Sequence, residues 1–285
     1  MNPFPGATAP TDLDIFTFDL YGFIVVRGAL EASEVAACNQ AVDRLQDLGK
    51  GEWAGWVQGH DYGGKEGLNL QQIYEAGPAF ENLIDHPAWI EKVRTFVGGQ
   101  GTFDYHHGPL FIDECFANIR KPGEAIGLHS GGHQGTVRTQ FRVQDRRFHC
   151  GQVNILVALN DIGPGDGATM VVPASHKANF PHPSLESKCM KGGEMRSADG
   201  VEHAVEVHLK AGDAIIFVDA IMHGAAARTN PGQRRIAVYR YGVSWGVSRH
   251  GFQPSPELLA RLTPERRKIV QPMAPNLPPV AAKQR

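Results

Sequence analysis

The stretch Gln152-Val-Asn-Ile-Leu-Val-Ala-Leu159 is the part of the sequence that says most about the fold. Its odd-numbered positions are all apolar, whereas its even-numbered positions begin with the amides Gln152 and Asn154. Successive side chains of a strand point to opposite faces, so this pattern predicts a strand with one apolar face and one mixed face. The mixed face either lines the interior of a barrel, where the amides need hydrogen-bond partners, or faces solvent.

Short apolar runs of the same kind, separated by glycine, proline and asparagine turns, continue from about residue 101. They are Leu110–Ile119, Gln152–Asn160, Ala168–Val172, Val205–Leu209, Asp213–Val218 and Arg234–Val243. Several short strands with turn signals between them predict an antiparallel sandwich or barrel. A doubly wound parallel sheet is disfavoured, because these strands do not alternate with helices.

The preceding part of the chain carries one strand pattern and two helix patterns. Gly22–Arg27 is a β-branched run typical of a strand. A first helix is predicted with Ser33 as its cap and Gly49 near its end, and a second over Pro87–Val97 with Gly98 as its stop. The expected fold class is therefore mainly β with flanking helices, in which the helices pack on the outer face of one β core.

Composition limits the function classes. The chain has 285 residues with Lys+Arg 28 and Asp+Glu 30, which gives a net charge of −2, so no nucleic-acid partner is expected. No run of 18 apolar residues occurs, so no membrane span is expected. The start lacks the pattern of a signal peptide, and the four scattered cysteines form no C-x-x-C pair, which favours a cytoplasmic location. With 13 histidines, any metal site would use imidazole and oxygen ligands.

These patterns divide the chain into three parts. Residues 1–11 are expected to be a flexible N-terminus, and residues 12–255 a single domain. Residues 256–285 are expected to be a C-terminal helix or arm that ends in a proline-rich tail. The sequence does not specify an oligomeric state.

Two histidines stand out by their context. His129 lies in the glycine-rich segment Leu128-His-Ser-Gly-Gly-His-Gln-Gly135, which follows a Lys-Pro-Gly-Glu turn. His223 opens the loop after the strand Asp213–Val218, and Arg234 begins the last strong strand beyond it. A single histidine in a loop is more often structural or solvated than a metal ligand, so the spacing alone does not decide its role.

The order of several motifs resembles the phytanoyl-CoA dioxygenase branch of the iron(II)/2-oxoglutarate oxygenases over roughly residues 14–245. The motifs are Phe18-Asp-Leu-Tyr-Gly-Phe-Ile-Val-Val-Arg-Gly28, Arg120-Lys-Pro-Gly-Glu124 leading to Leu128-His129, Gly167-Ala-Thr-Met-Val-Val-Pro-Ala-Ser-His-Lys177, and Gly212-Asp-Ala-Ile-Ile-Phe217 followed by His223-Gly224. The Pro-x-Ser-His-Lys turn and the spacing from histidine to arginine are the specific part.

The resemblance implies a double-stranded β-helix, the cupin-like jelly-roll barrel. It also implies oxidation of a small-molecule substrate with Fe(II), 2-oxoglutarate and O2 as cofactors. The two histidine ligands of the metal fall on His129 and His223. The arginine that binds the far carboxylate of 2-oxoglutarate falls on Arg234, with Asn118 as a weaker candidate for a 2-oxoglutarate contact. His176, in the Pro-x-Ser-His-Lys turn, is expected to be structural.

The chain departs from the family pattern at the third metal ligand. The family has His-x-Asp, whereas this chain has His129-Ser130-Gly131, and glycine offers no carboxylate. Iron/2-oxoglutarate halogenases also lack this aspartate, and in them chloride occupies the position that the carboxylate would take on the metal. Chloride carries the same single negative charge as aspartate, and the amides of a glycine-rich loop could solvate it. We therefore assign Ser130 and Gly131 to the reacting centre and treat halogenation as the leading interpretation.

Two other interpretations stay open. The chain could be a hydroxylase with a different ligand set, in which His133, a water, Asp145 or Asp166 takes the third position; we favour a non-ligating loop role for His133. Alternatively, the chain could be a non-catalytic barrel that binds a small molecule, although the retained Arg234 argues against a decayed site.

Two further segments are candidates for substrate contacts. Gly132–Cys150 carries four arginines, at 138, 142, 146 and 147, which either bind an acidic substrate or form a solvated face. Glu52–Tyr62 is rich in aromatic residues, which either line a pocket or pack on the core.

Overall fold

The computed structural model describes residues 4, 6–62, 65–98, 110–189, 196–243 and 252–271. The proline-rich tail beyond residue 271 and part of the first eleven residues lie outside the described residues. The helices are α1 Asp12–Tyr21, α2 Ala32–Asp43, α3 Pro78–Glu81, α4 Ile90–Val97, α5 Leu185–Lys188, α6 Pro256–Arg261 and α7 Pro264–Val270, with 3₁₀ turns at Ile73–Ala76 and Ser175–Lys177. The strands are β1 Phe23–Val26, β2 Trp53–Ala54, β3 Val57–His60, β4 Leu68–Gln71, β5 Phe111–Arg120, β6 Ile126–His129, β7 Phe141–Gln144, β8 Arg147–Cys150, β9 Gln152–Ala158, β10 Thr169–Val171, β11 Val205–Val207, β12 Ala214–Val218, β13 His223–Ala225 and β14 Arg234–Gly242.

Two antiparallel sheets form the core of this mainly β fold. The larger sheet has the order β1-β12-β9-β14-β5-β4-β3-β2, and the smaller sheet has the order β11-β10-β13-β6. Strands β7 and β8 form a separate hairpin. Side chains of the larger sheet reach the smaller one, since the Phe217 ring lies 4.8 Å from the ring of His223 and Arg234 contacts Thr169. The two sheets therefore enclose a shared interior.

The predicted alternation of β9 is confirmed. Val153 and Ile155 face outward beside Tyr241 and Tyr239 of β14, whose hydroxyls donate to backbone carbonyls of the segment 80–84. Gln152 and Asn154 lie on the other face, 2% and 1% exposed. Because both amides are buried, the interior interpretation holds and the solvent interpretation is wrong.

The helices that precede the sheets pack on the outer face of the larger sheet. Phe96 of α4 stacks on Phe18 of α1 at 3.8 Å between ring centroids, and both rings meet Phe148 edge-on. The predicted second helix, with Gly98 as its stop, is confirmed as α4. The end of the predicted first helix is wrong: α2 ends at Asp43, and its capping box is made by Glu31 and Glu34 rather than by Ser33. Sequence analysis also missed α1, although Thr11 and Asp14 form a capping box that was visible in the sequence.

Asp213 joins the first strand to the interior strand β12. Its carboxylate accepts hydrogen bonds from the Gly28 and Lys210 amides at 2.8 and 2.9 Å and pairs with Arg27 at 2.7 Å. Burial alone would raise the pKa of Asp213, but these hydrogen bonds and the Arg27 charge outweigh it and hold the pKa below its usual value.

Within the described ranges, no helix is long and apolar enough to cross a membrane.

We predict that Asp213→Asn destabilises the fold by about 1–3 kcal/mol at pH 7, because the two amides and Arg27 lose a charged acceptor. A carboxyl whose folded pKa is depressed stabilises the fold above its unfolded pKa, and this contribution is lost as the pH falls through the folded pKa. Urea unfolding between pH 7 and pH 3 measures this. The free energies of unfolding of the unchanged protein and of Asp213→Asn should become equal as the pH falls. Asp161→Asn is the control, because Asp161 is exposed in its pair with Lys210; a constant difference for Asp213→Asn across the range would contradict this account.

Candidate metal centre

Strand pairing in the smaller sheet brings the two predicted histidines together. β6 and β13 are antiparallel neighbours, and His129 is the register partner of His223. The ring centroids of these two side chains are 4.1 Å apart. Partners directly opposite each other in an antiparallel pair carry their side chains on the same face. The residues that the sequence analysis singled out separately thus lie side by side in the interior.

Both imidazoles are held in the form that binds a metal. The Nδ1 atom of His129 donates to the Gly127 carbonyl at 2.9 Å, and that of His223 donates to the Ile221 carbonyl at 2.8 Å. A hydrogen on Nδ1 leaves the lone pair on Nε2, and such an outer hydrogen bond to a carbonyl is the usual arrangement of metal-ligating histidine. Burial lowers the pKa of His129 to about 4 and that of His223 well below its usual value, so both rings are neutral at physiological pH.

Buried arginines lie between the two sheets at one end of the interior. Arg234 donates to Asn118 Oδ1 at 2.9 Å and to Thr169 Oγ1 at 3.3 Å, and Thr169 lies two residues before Val171, the register partner of His223. Arg120, opposite Arg234 in the register of β5 and β14, bonds to backbone carbonyls. Both arginines are at most 1% exposed.

Within the described ranges, the guanidinium groups of this arginine pair are hydrogen-bonded to carbonyl, amide and hydroxyl oxygens rather than to a carboxylate. Among the described residues, Arg234 Nε and Arg120 Nη2 are buried without a hydrogen-bond partner. Burial, together with the neighbouring charges of Arg120 and Arg228, lowers the pKa of Arg234 well below its usual value. Burying unpaired charges is costly, so the arrangement fits an anion that bonds to the guanidinium groups when it is bound. Arg234 was predicted from the sequence to bind a carboxylate, but Arg120 was not. The signal for Arg120 was its position directly before the Lys-Pro-Gly-Glu turn.

Ser130 and Gly131 adopt left-handed backbone conformations directly after His129, with φ of 64° and 129°. A Cβ atom added to Gly131 would lie 2.6 Å from the His133 ring and 2.9 Å from the Met222 methyl group. The space beside position 131 is therefore filled by His133 and Met222. Among the described residues, the Nδ1 atom of His133 and the hydroxyl of Ser130 are buried without a hydrogen-bond partner.

The carboxylates that sequence analysis considered as replacement ligands have other surroundings. Asp145 lies in the exposed turn between β7 and β8. Asp166 pairs with Arg228 at 3.0 Å and accepts a hydrogen bond from Asn230. Within the described ranges, no group of three histidine, cysteine or acidic side chains is arranged to hold a metal ion. The site therefore consists of two imidazoles and a buried arginine pair, and His133 and Met222 occupy the space beside Gly131.

His176 has the contacts of a structural residue. Its ring contacts Phe141 edge-on at 4.4 Å between ring centroids and bonds to the Asp19 carbonyl through Nε2 at 3.1 Å. A Cβ atom at Gly22 would lie 2.6 Å from its Nδ1 atom, and one at Gly132 would lie 2.3 Å from its carbonyl oxygen. The Pro-x-Ser-His-Lys turn thus fixes the start of β1 and the loop after His129 against each other.

A cavity of about 250 Å³ opens beside His129. Its walls include Tyr62, Asn69, Phe116, Leu128 and Arg240. Arg240 pairs at 2.9 Å with Glu114, which also accepts from the Tyr62 hydroxyl. The aromatic segment 52–62 thus reaches the cavity through Tyr62, whereas Trp53 is half exposed on the sheet edge.

The family model for phytanoyl-CoA dioxygenase matches residues 18–236. The chain belongs to the phytanoyl-CoA dioxygenase family. It is an oxygenase, and the family explains the jelly-roll-like arrangement of its two sheets.

Several relatives of this family member are similar over most of its length. Dioxygenase cdmD of Talaromyces verruculosus is 24% identical over 82% of this chain and 72% of its own length. The iron-bound structure of HygX from Streptomyces hygroscopicus is 25% identical, with a TM-score of 0.66 over 85% of this chain and 90% of its own. The epimerase SnoN from nogalamycin biosynthesis is 19% identical, with a TM-score of 0.57 over 81% of this chain and 82% of its own.

We predict that Gly131→Ala destabilises this oxygenase by about 1–3 kcal/mol, because a side chain at φ 129° is strained and meets His133 and Met222. Gly135→Ala is the matched control in the same loop, since nothing lies within 4 Å of its added Cβ atom. Thermal unfolding of both variants measures the difference. Equal stability of the two would mean that the loop after His129 relaxes freely around position 131.

Proposed function

We propose that this oxygenase uses iron(II) and 2-oxoglutarate to oxidise an aliphatic C–H bond of a small molecule inside a double-stranded β-helix barrel. The observation that carries the proposal is the pairing of two neutral imidazoles, 4.1 Å apart between ring centroids, with two buried arginines. Arg234 Nε and Arg120 Nη2 have no hydrogen-bond partner among the described residues. The histidines and the arginines each suit one cofactor. The Nε2 lone pairs of the imidazoles can bind a divalent metal, and the guanidinium groups can bind a dicarboxylate.

The residues have distinct roles in this proposal. His129 and His223 would hold the metal through Nε2, and their hydrogen bonds to main-chain carbonyls fix the ring orientation. Iron bound there with 2-oxoglutarate supplies the O2-dependent oxidising chemistry. Arg234 would bind the far carboxylate, and Asn118 holds the guanidinium group in place by accepting one of its hydrogens. Asn118 is therefore a positioning residue rather than a 2-oxoglutarate ligand.

The substrate would enter the cavity beside His129. This cavity has both aromatic and charged walls, in Phe116, Tyr62 and Arg240, and is lined by residues of β4, β5, β6 and β14. The structure of HygX was solved with hygromycin B bound, and that of SnoN with nogalamycin RO, so both neighbours bind small molecules. We propose a small organic molecule as the substrate class here as well, within a single catalytic domain at residues 12–255.

We predict that Arg234→Gln weakens 2-oxoglutarate binding to the metal-loaded protein by about 10- to 100-fold, the loss of one charge-assisted, bidentate contact. The control is Arg235→Gln. Arg235 is adjacent but points to the outer face, where it pairs with Asp43 at 2.8 Å and bonds to Asn39 and Gln46. Calorimetric titration with 2-oxoglutarate measures both. The proposal for Arg234 is wrong if the two variants bind 2-oxoglutarate equally well while both remain folded.

Halogenation is a second candidate, favoured by the missing carboxylate at Gly131. Chloride would need the space beside position 131, and His133 and Met222 fill that space. We therefore expect transfer of oxygen rather than of halide.

The test is the dissociation constant of 2-oxoglutarate for the iron-loaded protein with and without chloride. We expect a change of less than about 2-fold, because His133 and Met222 occupy the space where a side chain at position 131 would begin. Tightening by about 10-fold or more, with chlorinated product detected by mass spectrometry, would establish halogenation instead. His133→Ala is the informative companion variant, since the His133 ring is the nearer of the two side chains that fill the space beside Gly131.

A further inference from the structure

Asp219 places a buried carboxylate on the face of the interior that carries the two histidines. It follows directly after β12, and its side chain is 1% exposed. Its Oδ1 atom accepts from Asn154 Nδ2 at 3.1 Å. Asn154 is the register partner of Phe217, whose ring lies 4.8 Å from the His223 ring. The carboxylate thus lies on the same side of the interior as His223, which follows Asp219 by four residues in the chain.

The second oxygen of Asp219 is bound by a residue from the loop after His129. Arg138 Nη1 donates to Asp219 Oδ2 at 3.0 Å. Arg142, Arg146 and Arg147 are exposed in the β7–β8 hairpin, as the solvated interpretation of this arginine-rich segment predicted. Arg138 alone of these four arginines is directed at a buried acid.

Strand alternation directs the Asp219 carboxylate toward the histidines. Asp219 lies two residues after Phe217, so both side chains point to the same face, and the Phe217 ring contacts the His223 ring. Burial would raise the pKa of Asp219, but the charges of Arg138 and Arg240 and the Asn154 hydrogen bond outweigh it and lower the pKa, so the group is ionised.

Other interior carboxylates are bound elsewhere. Glu114 pairs with Arg240, and Asp113 accepts from Gln152 Nε2 at 2.7 Å. Glu66, on the wall of the cavity beside His129, accepts from the Tyr62 and Lys65 amides. A divalent cation on two neutral imidazoles in a buried site needs a nearby negative charge, and Asp219 is a buried carboxylate on the interior face where Phe217 contacts His223.

We propose that Asp219 is the acidic group of this metal centre, and that it supplies from β12 the negative charge that Gly131 cannot supply from the His-x-Asp position. The proposal rests on the proposed function, since it presupposes a cation on His129 and His223. Asn154 and Arg138 position the carboxylate, and Arg138 links the loop after His129 to the cation site. The charge of a halide is then not required at this centre.

The experiment measures Mn(II) binding to the metal-free full chain by isothermal titration calorimetry in chloride-free buffer, without 2-oxoglutarate. We expect Asp219→Asn to weaken Mn(II) binding by about 10- to 100-fold, the usual effect of removing a carboxylate that supports a metal site. Asp113→Asn is the matched control, because it also removes a buried carboxylate that is bonded to a side-chain amide of β9. It should change the affinity by less than about 3-fold.

A second variant keeps the test decisive if Asp219→Asn does not fold. Arg138→Gln leaves the carboxylate in place and removes its cationic partner, so Mn(II) binding should become tighter. Weaker binding in Arg138→Gln, or equal affinities for Asp219→Asn and Asp113→Asn, would overturn the proposal for Asp219.

Two further arms separate this proposal from the proposed function. If Mn(II) binds to His129→Ala as tightly as to the unchanged protein, the metal site itself is wrong. If His129→Ala abolishes binding while Asp219→Asn has no effect, only the role of Asp219 is wrong. Repeating the titration with chloride gives a last distinction. Chloride should leave Mn(II) binding to the unchanged protein unaffected, whereas tighter binding in chloride would assign the charge to a halide.

Discussion

The register between β6 and β13 is the constraint on which the site depends. It pairs His129 with His223 and so joins two distant parts of the chain at one point of the interior. A slip by one residue would turn either imidazole to the opposite face of the smaller sheet. The register is supported on both sides, because β10 pairs with β13 and the Ser175 hydroxyl accepts from the Met222 amide at 2.7 Å. The placement of the two imidazoles is therefore a product of sheet pairing rather than of local loop structure.

Buried arginines mark one end of the interior of the two sheets. Arg120, Arg228 and Arg234 lie together there, and their mutual repulsion adds to the cost of burial. Arg228 is paired with Asp166, whereas Arg234 Nε and Arg120 Nη2 have no hydrogen-bond partner among the described residues. Burying such groups is costly, and a bound ligand of opposite charge would offset that cost. A dicarboxylate cosubstrate, as proposed above, would supply this charge.

Much of the fold could be predicted from the sequence, because the strand signals are strong and local. All six predicted runs from Leu110 to Val243 correspond to strands, and the alternation in β9 identified the interior face. The family motifs located His129, His223 and Arg234. Asp219 was missed because nothing in its local sequence distinguishes it from a turn residue; only the fold brings it to the interior face where Phe217 contacts His223. Arg120 was missed for the same reason, since only the register with Arg234 shows that its charge is buried.

The conformation of the loop after His129 explains why an aspartate could not simply replace Gly131. At φ 129° position 131 is suited to glycine, and the His133 ring stands where a side chain would begin. Gly132 is pressed against the His176 carbonyl, and Arg138 further along reaches Asp219. The loop is therefore built around the absence of a side chain at 131, and an aspartate placed there would have to displace His133 and reverse the backbone conformation before it could approach the metal. A carboxylate on the neighbouring strand end avoids both costs, which is the physical reason to look for the acidic group of this centre on β12.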